Sequence, residues 1–249
     1  MADRMGVEER IAHFLRVSED AGATQAERDV ALREAERLIA KHAVDRLGLD
    51  LDGERRPRPE PIETGVLDVD GGRGTVSLDV VLGLSKVARS LGLYPYYSDR
   101  RTWPRTAEPE VRPHVRLSFT GFRSDVALAE PLLRSLQVQA VLAMRSWWRG
   151  DPDHRGVVQW DAHLAKCAFV QSFGAGAAER LQTGREEAAE QTGKALVLVS
   201  REAEVTSWVQ EHVVLRSARD RRSFSGYGRA QGYSAGLRSH GAGAAALPT

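Results

Sequence analysis

His163 and Cys167 stand four residues apart in the stretch WDAHLAKCAFVQSFGAGAAERL (160–181), a spacing that puts two side chains on one face of a helix. Helical zinc sites use that spacing, as in H-E-x-x-H, where the glutamate beside the first histidine is the general base. Here the tetrad is H-L-A-K-C, and Leu164 holds the glutamate position. A third ligand would have to come from His154 or Asp161, because the chain has one cysteine. The other reading makes Cys167 a small buried apolar residue beside Phe169 and Phe173, and His163 a partly exposed helix residue. The ligand count favours the packed helix. No cofactor is expected, and zinc at His154, His163 and Cys167 stays as the alternative.

Gly174 and Gly176 fall inside the same helix. A mid-helix glycine costs about 0.5–1 kcal/mol relative to alanine, so something must offset it. With Ala175, Ala177 and Ala178 the two glycines make a smooth surface against which another helix can pack closely. A phosphate cradle is excluded by context: no Gly-Lys-Ser/Thr precedes a helix, and Gly193-Lys194 is followed by Ala195. Asp68 and Asp70 share one face of a strand, with Asp79 near in sequence. Such carboxylates could hold a divalent cation or divide acid and base roles. The spacing fits no calcium loop, and a turn-flanking exposed edge explains the same residues.

The segment YPYYSDRRTWPR (94–105) interleaves Tyr94, Tyr96, Tyr97 and Trp103 with Arg100, Arg101 and Arg105. Arginines supply phosphate contacts and aromatics supply base stacking. From Arg216 onward the chain carries arginines at 216, 219, 221, 222, 229 and 238 against the single acid Asp220. That local excess of five, on a chain whose total is +1, leaves −4 on the first 215 residues. A basic tract of this kind can tether nucleic acid in a salt-dependent way. Trp147, Trp148 and Trp160 flank one turn, either as core or as a stacking surface.

These residues must be carried by ordinary elements. Val7, Ile11, Phe14 and Leu15 form one apolar stripe, and Ala31, Ala35, Leu38 and Ile39 a second. Thr24 followed by Glu27 reads as a capping box that restarts a helix. Residues 1–47 are therefore expected to form an αα-hairpin module that docks to a partner or to a second copy through residues 7–45. Residues 48–61, with three prolines and seven charges, read as a linker.

Residues 62–215 read as an α+β domain: a small β-sheet packed against long helices. Strands are expected at 66–69, 93–97 and 115–119. Helices are expected from Ser77 to Leu91, Ser124 to Trp148 with a kink or late start at Pro131, 157 to 183, and 201 to 213. Residues 216–249, rich in Gly, Ser and Ala, are expected to be a flexible basic tail with at most a short helix near 233–237. The 42% apolar fraction allows a sizeable core, and no run approaches the length of a membrane span. One cysteine excludes a disulfide framework, and the charged amphipathic N-terminus is not a signal peptide. Only four of the 35 basic residues are lysines, a bias that fits a high-GC genome.

The chain also resembles a known family. Arg10-Ile11 followed by Ala31…Ala35-Glu36-Arg37-Leu38-Ile39-Ala40-Lys41-His42 is similar to the N-terminal helical module of the domain of unknown function 2786 family. Phe119-Thr120-Gly121 before Ser124-Asp125-Val126 resembles its strand–glycine–helix junction. Phe169 through Ser172-Phe173-Gly174 to Arg180-Leu181 resembles its long helix, and Gly232-Tyr233 with Ala235-Gly236 its C-terminal tract. The resemblance implies a cytoplasmic protein of actinobacterial or phage type, with a C-terminal companion domain and no assigned activity.

Three functions follow, in order. The first is a non-enzymatic protein that binds nucleic acid through Arg100, Arg101, Trp103, Arg105, Arg216, Arg219, Arg221, Arg222 and Arg229. The second is a protein–protein adaptor. The third is a metal-dependent hydrolase at His154, His163 and Cys167, or at Asp68, Asp70 and Asp79.

Overall fold

The computed structural model describes residues 6–20, 22–24, 27–28, 30–35, 37–39, 60–72, 74–100, 112–151, 159–192, 195–216 and 226–239. Helix α1 (Val7–Glu19) buries Ile11 and Leu15. The capping box is formed: Thr24 N–H donates to Glu27 Oε2 at 2.8 Å, and Glu27 N–H donates to Thr24 Oγ1 at 3.3 Å. The described residues from 27 to 39 are helical and bury Ala31, Leu32, Ala35, Leu38 and Ile39. Ile11, Leu15, Leu32, Ala35, Leu38 and Ile39 join the same core as the sheet. The linker expected at 48–61 lies outside the described residues up to position 59.

Strand β1 (Ile62–Asp70), helix α2 (Ser77–Ser90), strand β2 (Tyr94–Asp99) and strand β3 (His114–Phe122) follow. The sheet order is β1-β3-β2, with β3 antiparallel to both neighbours. β1 and β2 thus run parallel on either side of β3, joined across by α2, a split β-α-β unit. Along β1 the alternation is strict: Gly65, Leu67 and Val69 are buried, and Thr64, Val66, Asp68 and Asp70 are exposed. The inner face also carries Val115, Leu117 and Phe119, all fully buried, beneath α2 and α3 (Arg123–Gly150). The chain continues as α4 (Gln159–Thr192), α5 (Ala195–His212) and α6 (Arg229–Leu237).

Several sequence expectations move. Ser124 was expected to cap α3, but the helix begins at Arg123, and the Glu60 carboxylate accepts the Ser124 N–H at 2.8 Å. A carboxylate at that end also meets the positive pole of the helix. Pro131 lies inside α3, and the acceptor it leaves unserved belongs to Ala127, an exposed residue that water can reach. Helix α4 runs nine residues past the expected end, and α5 starts six residues earlier than expected.

The largest difference is at the C-terminus. Residues 226–239, expected within a flexible tail, form a turn and a helix bound along α4. Gly228, Gly232 and Gly236 follow one another at four-residue steps, and a Cβ at each would press on the carbonyl oxygen of Ala165, Phe169 or Phe173, also four apart. On α4, Gly176 faces the Tyr233 carbonyl and the Leu237 amide. Around the α4 axis, Gly174 meets Gly83 of α2, where a Cβ would lie 2.8 Å from the Val170 oxygen. Gly and Ala content argued for disorder because such residues bury little surface. Here their smallness is what lets two backbones meet.

Side chains then fasten α6. Arg180 Nη1 donates to the Gly236 carbonyl and to Ser239 Oγ, both at 2.7 Å, closing the helix end with a cation. Tyr227 donates to Asp151 at 2.8 Å, and Tyr233 donates to Glu179. Trp147 stacks on Phe169 at 4.9 Å and contacts Tyr227 at 5.5 Å, so this tryptophan belongs to the packing of the helices. Replacing Gly232 or Gly236 with leucine should lower stability by about 2 kcal/mol or more, because the added side chain meets backbone and not a flexible side chain. Denaturant unfolding monitored by tryptophan fluorescence checks this, with Gly184→Ala, where an added Cβ meets nothing, as a comparison that should gain about 0.5–1 kcal/mol.

Candidate nucleic-acid interface

The sheet has a second face, formed by residues of the opposite parity. Cross-strand pairing puts Thr64, Thr120 and Tyr94 in one row, Val66, Ser118 and Tyr96 in the next, and Asp68, Arg116 and Ser98 in the third. Helix α5 covers the end nearest Phe122: it rests on β2 and β3, and the Arg201 guanidinium lies 3.7 Å over the Phe122 ring. Thr120 and Phe122 are accordingly buried. From Ser118 to Arg116 the face opens, and Val66 is 45% exposed. Tyr94 and Tyr96 are half-exposed there, whereas Tyr97 points to the other side and packs on the core.

Charge on the open face is organised around Asp68. Arg116 grips it through two bonds, Nε to Oδ1 at 2.7 Å and Nη2 to Oδ2 at 2.8 Å. This pairing holds the Asp68 carboxyl below its ordinary value, with further help from His114 and Arg100. His114 is buried, its Nδ1 sits 2.9 Å from the Arg112 carbonyl, and its Nε2 lies 3.9 Å from Asp68 without a hydrogen bond. A carbonyl only accepts, so Nδ1 carries the proton and Nε2 faces the carboxylate. Arg100 closes β2 and donates its backbone N–H to the His114 carbonyl at 3.0 Å.

The remaining sequence candidates divide. Arg101, Trp103, Arg105, His154, Arg219, Arg221 and Arg222 lie outside the described residues. Arg216 is exposed after α5. Arg229 is exposed at the start of α6, where its charge and partial burial depress the Lys86 ammonium below its usual value, burial being the larger cause. His163 Nε2 and Cys167 Sγ are 3.5 Å apart, and Cys167 is buried. Asp79 is buried on α2 and accepts from Gln171 at 2.7 Å, away from the Asp68–Arg116 pair. Among the described residues no three His, Cys, Asp or Glu side chains are gathered to hold a metal ion.

Two features escaped the sequence reading. One is the cluster beneath α5, in which Arg201 Nη2 reaches Glu60 at 3.3 Å and Asp125 at 3.0 Å. The other is a groove of about 770 Å³ where α2, α4 and α5 diverge, with Lys86 and Arg89 on one side and Glu186, Glu190 and Glu202 on the other. Both join positions far apart in the chain, and no local spacing signals them. A smaller apolar hollow of about 390 Å³ lies on the hairpin between Phe14, Val17 and the exposed Val30.

Residues 6–46 match the model of a family described as a protein of unknown function (DUF2786), which is the family the hairpin residues resemble. No curated protein and no solved structure matches the chain. No described helix is long and apolar enough to cross a membrane.

Two carboxylates, the half-buried Asp125 and the exposed Asp68, titrate with opposite signs. Burial raises the Asp125 carboxyl above 3.8 despite Arg201. The folded state therefore holds that proton more tightly, and the stability it adds is complete below about pH 3.8 and lost as pH rises through the raised value. Asp68 is depressed, so its contribution is present above 3.8 and lost as pH falls through the lowered value. Unfolding free energies measured from about pH 2 to 7 should show Asp125→Asn losing the first dependence and Asp68→Asn the second.

Proposed function

We propose that the protein binds single-stranded nucleic acid on the open half of the sheet's outer face, without chemistry on the bound strand. The observation that carries this is Tyr96, half-exposed in the same row as Ser118 and Val66 and one row from Arg116. A half-buried aromatic whose ring reaches the open face of a rigid strand is a stacking platform for any base, and a neighbouring arginine supports the backbone. Tyr94 continues the platform two residues back on the same face. Arg100 leads into the segment carrying Arg101, Trp103 and Arg105. The arginines at 216, 219, 221 and 222 add a salt-dependent tether. The lone cysteine, buried and reduced, fits a cytoplasmic setting.

A second reading, docking of a protein partner through residues 7–45, is favoured by the hollow beside Phe14 and Val30. Valine exposed to 52% beside an apolar depression is the kind of surface that protein contacts cover.

The experiment is fluorescence anisotropy with labelled single-stranded DNA and RNA at two salt concentrations. Tyr96→Ala should weaken binding about 5- to 150-fold, the equivalent of about 1–3 kcal/mol per stacked base. Changing Arg219, Arg221 and Arg222 together to serine should flatten the salt dependence and leave the Tyr96 effect in place. Substitution is required here, because deleting everything after 215 would remove α6 from the core. Absence of binding, or tyrosine variants that bind like the parent, would sink the proposal.

A further inference from the structure

We infer that the free edge of β1 pairs with β1 of a second copy of this chain, joining two three-stranded sheets into one six-stranded sheet about a twofold axis at Val66. This inference stands apart from the nucleic-acid reading. β1 is an outer strand of nine residues, and every pairing it makes is with β3. Among the described residues nothing else hydrogen-bonds to its backbone. Such an edge is a template for another strand.

Proteins usually blunt an exposed edge with proline, with a short strand or with free charge. The other edge of this sheet uses the first two: β2 has six residues and contains Pro95, which lacks an N–H. β1 has no proline, and two of its three acids are neutralised. Asp68 is held by both donors of Arg116, and Glu63 accepts from Arg123 Nε at 2.7 Å. Only Asp70, at the very end, has no ion-pair partner among the described residues. At the centre, Val66 is 45% exposed, an apolar side chain on the open half of the outer face.

The sequence of β1 also fits itself. An antiparallel twofold centred on Val66 sets Val66 against its own copy, Thr64 against Asp68 and Ile62 against Asp70 of the second chain. On the other parity it sets Glu63 against Val69 and Gly65 against Leu67. No like charges face each other directly, and a threonine hydroxyl can donate to the carboxylate opposite. A register shift of one residue would turn the exposed row toward the core side, so the pleat requires the axis to pass through a residue; on Val66 it pairs the strand over its full length, 62 against 70.

The test uses the full chain and light scattering coupled to size exclusion over a range of concentrations. The parent should move from 27.4 kDa toward twice that mass as concentration rises. Val66→Lys and Val66→Glu should each stay monomeric, since each places like charges on the axis. An equimolar mixture of the two should recover the dimer. Amide exchange of the parent gives a reading free of any substitution: protection should grow with concentration within 62–70 and not within 94–99. A parent that stays at 27.4 kDa throughout, single variants that dimerise like the parent, or concentration-dependent protection at 94–99 in place of 62–70 would each overturn the inference.

Discussion

Two backbones touch where Gly83 of α2 meets Gly174 of α4, and the rest of the molecule is arranged around that approach. Any side chain at either position would drive the helices apart by several tenths of an ångström or more. With the helices at contact distance, Val81, Leu84 and Val87 of α2 and Val170 and Phe173 of α4 join one buried core with the inner face of the sheet. The opposite flank of α4 repeats the device with Gly232 and Gly236 of α6. The central helix is therefore gripped on two sides by glycine contacts, each of which removes conformational freedom that glycine has in the unfolded chain. Close packing and the Arg180, Tyr227 and Tyr233 bonds offset that loss. The C-terminal helix is thus a component of the core, and α2, which links β1 to β2, is placed by it at one remove.

A second constraint governs the outer face. Arg201 is mostly enclosed, and it lies between two carboxylates and an aromatic ring. Enclosing charges is expensive unless partners replace water, and here Glu60 and Asp125 do so together. Glu60 also caps α3 through the Ser124 amide, so a single carboxylate ties the start of one helix to the side of another. The result is that α5 stays over the Phe122 end of the sheet and stops short of Ser118. The division of the face into a covered and an open half follows from where that latch sits. A strand pairing at β1 would extend the open half from one chain to two without altering either cover.

Much of the architecture was legible because it rests on local periodicity. Val80, Val81, Leu84 and Val87 announce the buried face of α2, and Thr24 with Glu27 announces the second hairpin helix. β1 alternates cleanly and was found, although its length was underestimated. β3 was cut short because Thr120, Gly121 and Phe122 are all buried, so alternation fades where α5 adds a second cover. Within the tail, the helix near 233–237 was legible, but its packing against α4 was not, because small residues signal either disorder or close packing and only the partner helix decides between them. The Glu60–Arg201–Asp125 cluster spans 141 and 76 positions, and no window along the chain could contain it.

The candidate site shows the same split. Alternating tyrosines at 94 and 96 were visible as residue types, but their shared outward direction comes from the register with β3. The grip of Arg116 on Asp68 converts a suspected metal carboxylate into the fixed partner of an arginine. What remains is a stacking surface with one anchored guanidinium, and the account turns on whether bases lie there. Ultraviolet cross-linking of a labelled single-stranded oligonucleotide, with the modified peptides mapped by mass spectrometry, tests this most directly. The account predicts adducts on Tyr94 or Tyr96 and none on the core-facing Tyr97. Adducts confined to the hairpin or to residues 226–239, with the sheet unmarked, would contradict it.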